Sequence, residues 1–177
     1  CKKSDLAVTK AKPNDPHSRM EQQANEFAAE LLMPARAVAS FVRDNGEADL
    51  SHILELARRH DVSREAAARR YIPRICDPAA IIFSNGGVVR YARLNEFFPK
   101  LSVCRGDQVP PQSVSALSTA DIGEVTGCVE VAAYTWLQRP AGVALFEQTL
   151  AQQNGFRMTL LTAEIEEVED EWEAPSF

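Results

Sequence analysis

The periodicity of apolar residues changes near residue 77, and this change restricts the fold more than any other feature of the sequence. Before it, apolar residues recur at helical spacing between breaks at Pro34, Asn45-Gly46 and Pro73. After it, short β-type runs are separated by the turn signals Asn85-Gly86-Gly87 and Gln153-Asn154-Gly155. We therefore expect an α+β fold, in which a helical N-terminal part precedes a β-rich C-terminal part.

Three short helices are predicted after Pro34. The first runs from residue 35 to about 43 and the second begins after Asp49, which can cap it. Ser63 can cap the third, which extends from Arg64 to about Ile72 and ends before the proline at 73.

The second half predicts one antiparallel sheet with short helices on one face. A helical segment is expected at residues 95–98 and another at 113–117. The expected strands are residues 79–83, 88–94, 125–137, 143–151 and 156–165.

One charged residue in the N-terminal segment interrupts an apolar helical stripe. At about 100° per residue, the segment from Ser18 to Pro34 places an arc of apolar residues on one face, with Glu21 inside it. Ser18 and Glu21 can form a capping box at the helix start. Alternatively, a cation or a metal compensates the carboxylate, since an unpaired buried charge is costly. The arc consists of Met20, Ala24, Phe27, Ala28, Leu31 and Leu32.

The run E-x-x-A-N-x-F-A-A-E-L-L-M-P, from Glu21 to Pro34, resembles the signature of the ImmA/IrrE-type zinc metallo-endopeptidases. The resemblance implies that this is the second helix of a zinc site, following a helix that carries HExxH. It also implies that Glu21 is the third zinc ligand. His17 lies at i, i+4 from it and is the second choice as a ligand.

The sequence departs from this family at the catalytic helix. Its 177 residues contain three histidines and no HExxH, so no catalytic residue is assigned within them. The departure predicts that the chain is a fragment from which an upstream HExxH helix is missing. We expect zinc in the intact protein, and neither a tightly bound zinc ion nor activity in the chain itself.

The second and third predicted helices are joined by a short turn and resemble the helix-turn-helix segment that often follows this signature. Arg64, Arg69 and Arg70 lie on the third helix, where they could meet DNA phosphates. A helical hairpin with solvated arginines is the alternative, because the helix offers no Asn, Gln or Lys for reading base edges.

These patterns divide the chain into four parts. We expect the rest of a metallopeptidase-like domain at 1–34, a helix-turn-helix-like segment at 35–76 and the β-rich domain at 77–165, with an acidic tail at 166–177. Residues 164–177 hold seven of the 25 acids and no Lys or Arg, so most of the net charge of −6 belongs to this end. No run approaches the ~18 apolar residues of a membrane span, and we expect a cytoplasmic protein.

The family resemblance implies a zinc-dependent endopeptidase that cleaves a transcriptional repressor in a bacterial stress or mobile-element response. An alternative hypothesis is a DNA-binding transcriptional regulator with a vestigial peptidase part. Its β-domain would then bind a ligand or a protein. This domain resembles GAF-type sensor folds only in its expected pattern of strands and short helices. The repressor and DNA are thus the expected partners.

Overall fold

A computed structural model of the protein describes residues 30–166. After a helical turn at residues 30–32 come three helices: α1 at Ala35–Asn45, α2 at Leu50–His60 and α3 at Arg64–Tyr71, with a 3₁₀ turn at Ile72–Arg74. Five strands follow: β1 at Ala79–Asn85, β2 at Val88–Leu94, β3 at Val129–Val131, β4 at Val143–Ala151 and β5 at Phe156–Ile165. The short helix α4, Val114–Leu117, precedes β3. The predicted α+β class is confirmed.

The five strands form one antiparallel sheet in the order β2-β1-β5-β4-β3. Glycines at 86 and 87, both with positive φ, turn the chain between β1 and β2. Asn154 and Gly155, also at positive φ, turn it between β4 and β5. The two turn signals read from the sequence are therefore hairpin turns, and they lie side by side because β1 pairs with β5.

The sheet is covered on both faces. Ile81 and Phe83 of β1 pack with the helices in one hydrophobic cluster, whereas Ala80 and Ile82 belong to a second cluster on the opposite face. The second face is covered by loops between β2 and β4, from which Phe98, Leu101 and Trp136 are buried. Side chains alternate between the faces because successive residues of a strand point in opposite directions. The helices thus share a core with one face of the sheet.

Side-chain caps define the starts of two helices, as predicted. Asp49 Oδ1 accepts a 2.7 Å hydrogen bond from Ser51 N at the start of α2, and Ser63 Oγ accepts a 3.1 Å bond from Ala66 N at the start of α3. Asp49 also accepts a 2.6 Å bond from the Gln148 amide of β4. The first turn of α2 is therefore attached to the sheet.

The predicted strand at 125–137 is mostly wrong. Only Val129–Val131 pairs as a strand, with β4, and Ala133–Thr135 forms a 3₁₀ turn. The chain turns inward here so that the indole of Trp136 reaches a buried carboxylate of β4, which an extended edge strand would not allow.

The helix predicted at 95–98 is a turn instead. The Asn95 side chain accepts from Ala79 N and donates to the carbonyls of Ile75 and Asp77. Asparagine often bonds to the backbone of nearby chain segments rather than continuing a helix. Asn95 therefore fixes the entry to the sheet.

Candidate functional site

The end of the signature segment is attached to α3. Glu30 to Leu32 are helical, Pro34 precedes α1, and Met33 between them is buried. Nη2 of Arg70 lies 2.5 Å from Glu30 Oε2 and donates a 3.0 Å hydrogen bond to the carbonyl of Met33. One arginine of α3 thus holds two groups of the signature segment.

Two further polar contacts hold this segment and the first residue of α1. His60 Nδ1 lies 2.9 Å from the carbonyl oxygen of Leu32, and Arg74 Nε donates to the carbonyl of Ala35 at 3.3 Å. The Leu32 carbonyl lies in the last turn of its helix, where carbonyls lack partners within the helix, so His60 contacts a group that water would otherwise solvate. The end of α2 and the 3₁₀ turn after α3 therefore hold the junction between the signature segment and α1.

Glu30 also accepts a hydrogen bond from the first residue of α1. Its Oε1 accepts a 3.0 Å hydrogen bond from Ala35 N, in a helix whose N-cap residue, Pro34, makes no side-chain cap. This backbone hydrogen bond, followed by the bond from Arg70, lowers the pKa of the Glu30 carboxyl below its usual value. Glu30 is the last glutamate of the signature, and its role here is structural.

The predicted stripe of the signature helix is wrong at its C-terminal end. Leu31 and Leu32 were expected in the core, but they are 71% and 54% exposed. The helix ends at Leu32, and the side chain that enters the core is the next one, Met33. The apolar side chains of this last turn are therefore exposed rather than part of the core.

The predicted zinc ligands Glu21 and His17 lie outside the described residues. Within residues 30–166, no group of three or more His, Cys, Asp or Glu side chains could hold a metal ion. The two histidines of this part already have partners, since His52 Nδ1 lies 2.8 Å from the Tyr71 hydroxyl and His60 contacts the Leu32 carbonyl. The described residues by themselves therefore do not fit a zinc ion.

The three arginines predicted to meet DNA do not share one surface. Arg70 faces the signature segment and is only 20% exposed in its side chain. Arg64 and Arg69 lie on the other side of α3, at a cavity against the sheet. Arg69 is bound there to Glu65 at 2.9 Å and to the Tyr91 hydroxyl at 3.0 Å.

Sequence reasoning missed the side chains that the sheet brings to this cavity, above all Arg90 and Arg157. They are 67 positions apart in the chain and line the same cavity because β2 and β5 flank β1. No local pattern marks either residue, because a contact between strands depends on their order in the sheet.

The described residues thus place the end of the signature segment against α2 and α3. Residues 1–71 match the peptidase family described as the IrrE N-terminal-like domain. The chain is therefore related, through this part, to the metallopeptidases of ImmA/IrrE type. No curated protein matches the chain significantly. No helix within residues 30–166 has both the length and the apolar character that crossing a membrane requires.

Proposed function

We propose that the chain is part of a zinc-dependent endopeptidase that cleaves a transcriptional repressor. The observation that carries the proposal is the family match over residues 1–71, which contains the signature from Glu21 to Pro34. Glu21 would contribute the third zinc ligand, with two imidazoles and the general base coming from an HExxH helix outside these 177 residues. When bound, zinc would polarise the scissile carbonyl and activate a water molecule.

The described residues would have a supporting role in this enzyme. Arg70 and His60 hold the C-terminal end of the signature segment, and this would fix the direction of the helix predicted to carry Glu21. Residues that support metal ligands in this way commonly affect metal affinity as well as stability.

The proposal predicts that the 177-residue chain neither binds zinc tightly nor cleaves peptides, because one glutamate with a neighbouring histidine makes an incomplete site. Calorimetric titration with zinc chloride should show no stoichiometric site at about micromolar protein. A stoichiometric, tight site in this chain would refute the assignment of the ligands. In a longer chain that includes the HExxH helix, one equivalent of zinc should be retained and then lost in the Glu21→Ala variant.

The matched control is Glu26→Ala, which removes a carboxylate that the helical wheel of the predicted helix places on the side opposite Glu21. Zinc retained by Glu26→Ala and lost by Glu21→Ala would support the proposal. Equal loss from both variants would point to a general disturbance of the helix. Cleavage of the repressor should follow zinc content in both variants.

A second candidate function is a transcriptional regulator with a helix-turn-helix-like segment and a ligand-binding, GAF-like β-domain. The observation that favours it is the core shared by α3 and the sheet, because a ligand held at the sheet would act directly on the helix proposed to contact DNA. Duplex DNA should then bind with an affinity that falls steeply with salt and that weakens in Arg64→Ala. Absence of DNA binding at low salt would remove this candidate.

A further inference from the structure

A cavity of about 1020 Å³ lies between the start of α3 and the two neighbouring hairpins of the sheet. Ser63 to Ala66 form one wall, and Gln152, Gln153 and Phe156 of the β4–β5 hairpin form another. Gly123 and Ile122, from the loop before β3, complete the rim. The cavity is therefore built from four separate parts of the chain.

Four arginines and one acid line this cavity. The arginines come from α3, β2 and β5, and Glu65 is the only Asp or Glu among the lining residues, all of which lie in the described part of the chain. The lining therefore carries a formal charge of +3, in a protein whose net charge is −6. The four are Arg64, Arg69, Arg90 and Arg157.

The single negative charge of Glu65 can neutralise only one of the two arginines beside it. Arg69 Nη2 lies 2.9 Å from one of its oxygens and Arg90 Nη1 lies 3.5 Å from the other. Burial acts to raise the pKa of Glu65, but the hydrogen bond with Tyr91 and the nearby guanidinium charges outweigh it and hold the pKa below its usual value. Two positive charges thus share one ionised carboxylate.

The other two arginines have no carboxylate partner among residues 30–166. Arg157 donates to the carbonyls of Ser115 and Ser118, which do not line this cavity, so its uncancelled charge lies at the edge of the cavity. Arg64 makes a 3.4 Å contact with the side-chain oxygen of Gln152. Since like charges in one cavity repel, the empty cavity should be less stable than one that contains an anion.

Apolar surface lies next to these charges. Cζ of Arg90 lies 5.1 Å from the centre of the Phe156 ring, and Phe83 and Ile122 also line the cavity. Arg90 and Arg69 both lie over the face of Tyr91, at 5.8 and 5.0 Å. The guanidiniums are thus held against aromatic faces, which limits their motion before any ligand binds.

We propose that this cavity binds a small organic phosphate that carries at least two negative charges and an apolar or aromatic part. Planar guanidiniums bind phosphate oxygens through paired hydrogen bonds, and the apolar wall would accept the rest of the molecule. The cavity volume is that of a small-molecule site. The inference is independent of the peptidase proposal, so a tight zinc site in this chain, which would refute the assignment of the zinc ligands, does not affect it.

A small molecule fits this surface better than DNA does. Arg64 and Arg69 of α3 and Arg90 of β2 line a concavity, with Arg157 at its edge, whereas DNA binding by a helix needs basic side chains along an exposed ridge. Arg70, which could extend such a ridge, is turned toward Glu30 and Met33. DNA binding remains a distinct outcome of the test.

The experiment measures binding of adenosine diphosphate, inorganic pyrophosphate and adenosine by calorimetry. Its variants are Arg64→Glu and the control Arg43→Glu, which makes the same charge change on an exposed arginine of α1. We expect one molecule of adenosine diphosphate or pyrophosphate per chain, and adenosine weaker by at least about tenfold. Arg64→Glu should weaken both phosphates at least about tenfold, and Arg43→Glu less than about twofold.

Thermal unfolding supplies a second measurement. Pyrophosphate should raise the melting temperature of the natural chain and of Arg43→Glu, but not that of Arg64→Glu. Circular dichroism checks that each variant folds, and Arg64→Gln replaces the charge reversal if that variant does not fold. Since Arg64 is exposed, either substitution should leave the core intact.

Three results would overturn the proposal. The first is no binding of either phosphate at about millimolar concentration and low salt. The second is equal weakening by Arg64→Glu and Arg43→Glu, which would mean that the phosphates respond only to overall charge. The third is Arg64-dependent binding of duplex DNA without binding of pyrophosphate, which would make this surface a nucleic-acid site.

Discussion

Replacing Glu147 by alanine should remove the carboxylate that holds the loops beneath the sheet. Glu147 lies on β4 with its side chain fully buried, at 0% exposure. Its Oε1 accepts a 2.7 Å hydrogen bond from Ser115 N, and its Oε2 accepts from Val114 N at 3.1 Å and Trp136 Nε1 at 2.8 Å. The carboxylate thus connects β4 to α4 and to the loop that buries the tryptophan.

The size of the effect follows from the donors that would lose their acceptor. Each buried donor left unpaired costs about 1–3 kcal/mol. Removing the buried charge offsets part of this loss, because burial of Glu147 raises the pKa of its carboxyl, despite the hydrogen bonds that lower it. We expect Glu147→Ala to lower the free energy of unfolding by about 2–5 kcal/mol near neutral pH.

The same pKa shift fixes how the effect varies with pH. Because the folded pKa lies above the ordinary value of 4.5, the folded protein binds the proton more tightly than the unfolded chain does. The stabilising contribution of Glu147 is therefore complete below pH 4.5 and decreases as the pH rises through the folded pKa. The difference between the natural chain and Glu147→Ala should be larger at acid pH than at pH 8.

Urea unfolding followed by circular dichroism, repeated between pH 4.5 and 8, measures both effects. Glu130→Ala on β3 is the control, since it removes an exposed glutamate from the neighbouring strand. It should change the free energy of unfolding by less than about 0.5 kcal/mol. A loss under about 1 kcal/mol for Glu147→Ala, or a difference that grows as the pH rises, would refute this account of the carboxylate.

Two further substitutions test the attachment of α2 and the meeting of the hairpins. Asp49→Ala should lower the free energy of unfolding by about 2 kcal/mol, roughly 1 for the helix cap and roughly 1 for the hydrogen bond from Gln148. A loss below about 0.5 kcal/mol in urea unfolding would contradict the attachment of α2 to the sheet. Gly155→Ala should cost about 1–2 kcal/mol, because Gly155 has φ +74° and its Cβ would lie 3.4 Å from Gly86 N. Gly127→Ala, with nothing within 4 Å of the added Cβ, should cost less than Gly155→Ala in the same measurement.

Most of the secondary structure was readable from the sequence because local signals specify it. Asp49 and Ser63 cap helices through their own side chains, and the glycines of both hairpin turns adopt positive φ. Prediction failed where a distant partner decides the backbone. Most of residues 125–137 is not paired as a strand, and Trp136 donates a hydrogen bond to Glu147. Asn95 forms a turn instead of a helix because its side chain binds the chain before β1.

The candidate sites also include one that local sequence specifies and one that depends on distant parts of the chain. The motif from Glu21 to Pro34 is contiguous, so the sequence by itself determined the metallopeptidase relationship, and the family match over residues 1–71 confirms it. The grouping of Arg64 with Arg90 and Arg157, and the separate placement of Arg70, were decided only by the tertiary structure. The physical reason is that a motif on one helix follows from helical periodicity, whereas a cavity between α3 and three strands depends on strand order and on helix packing.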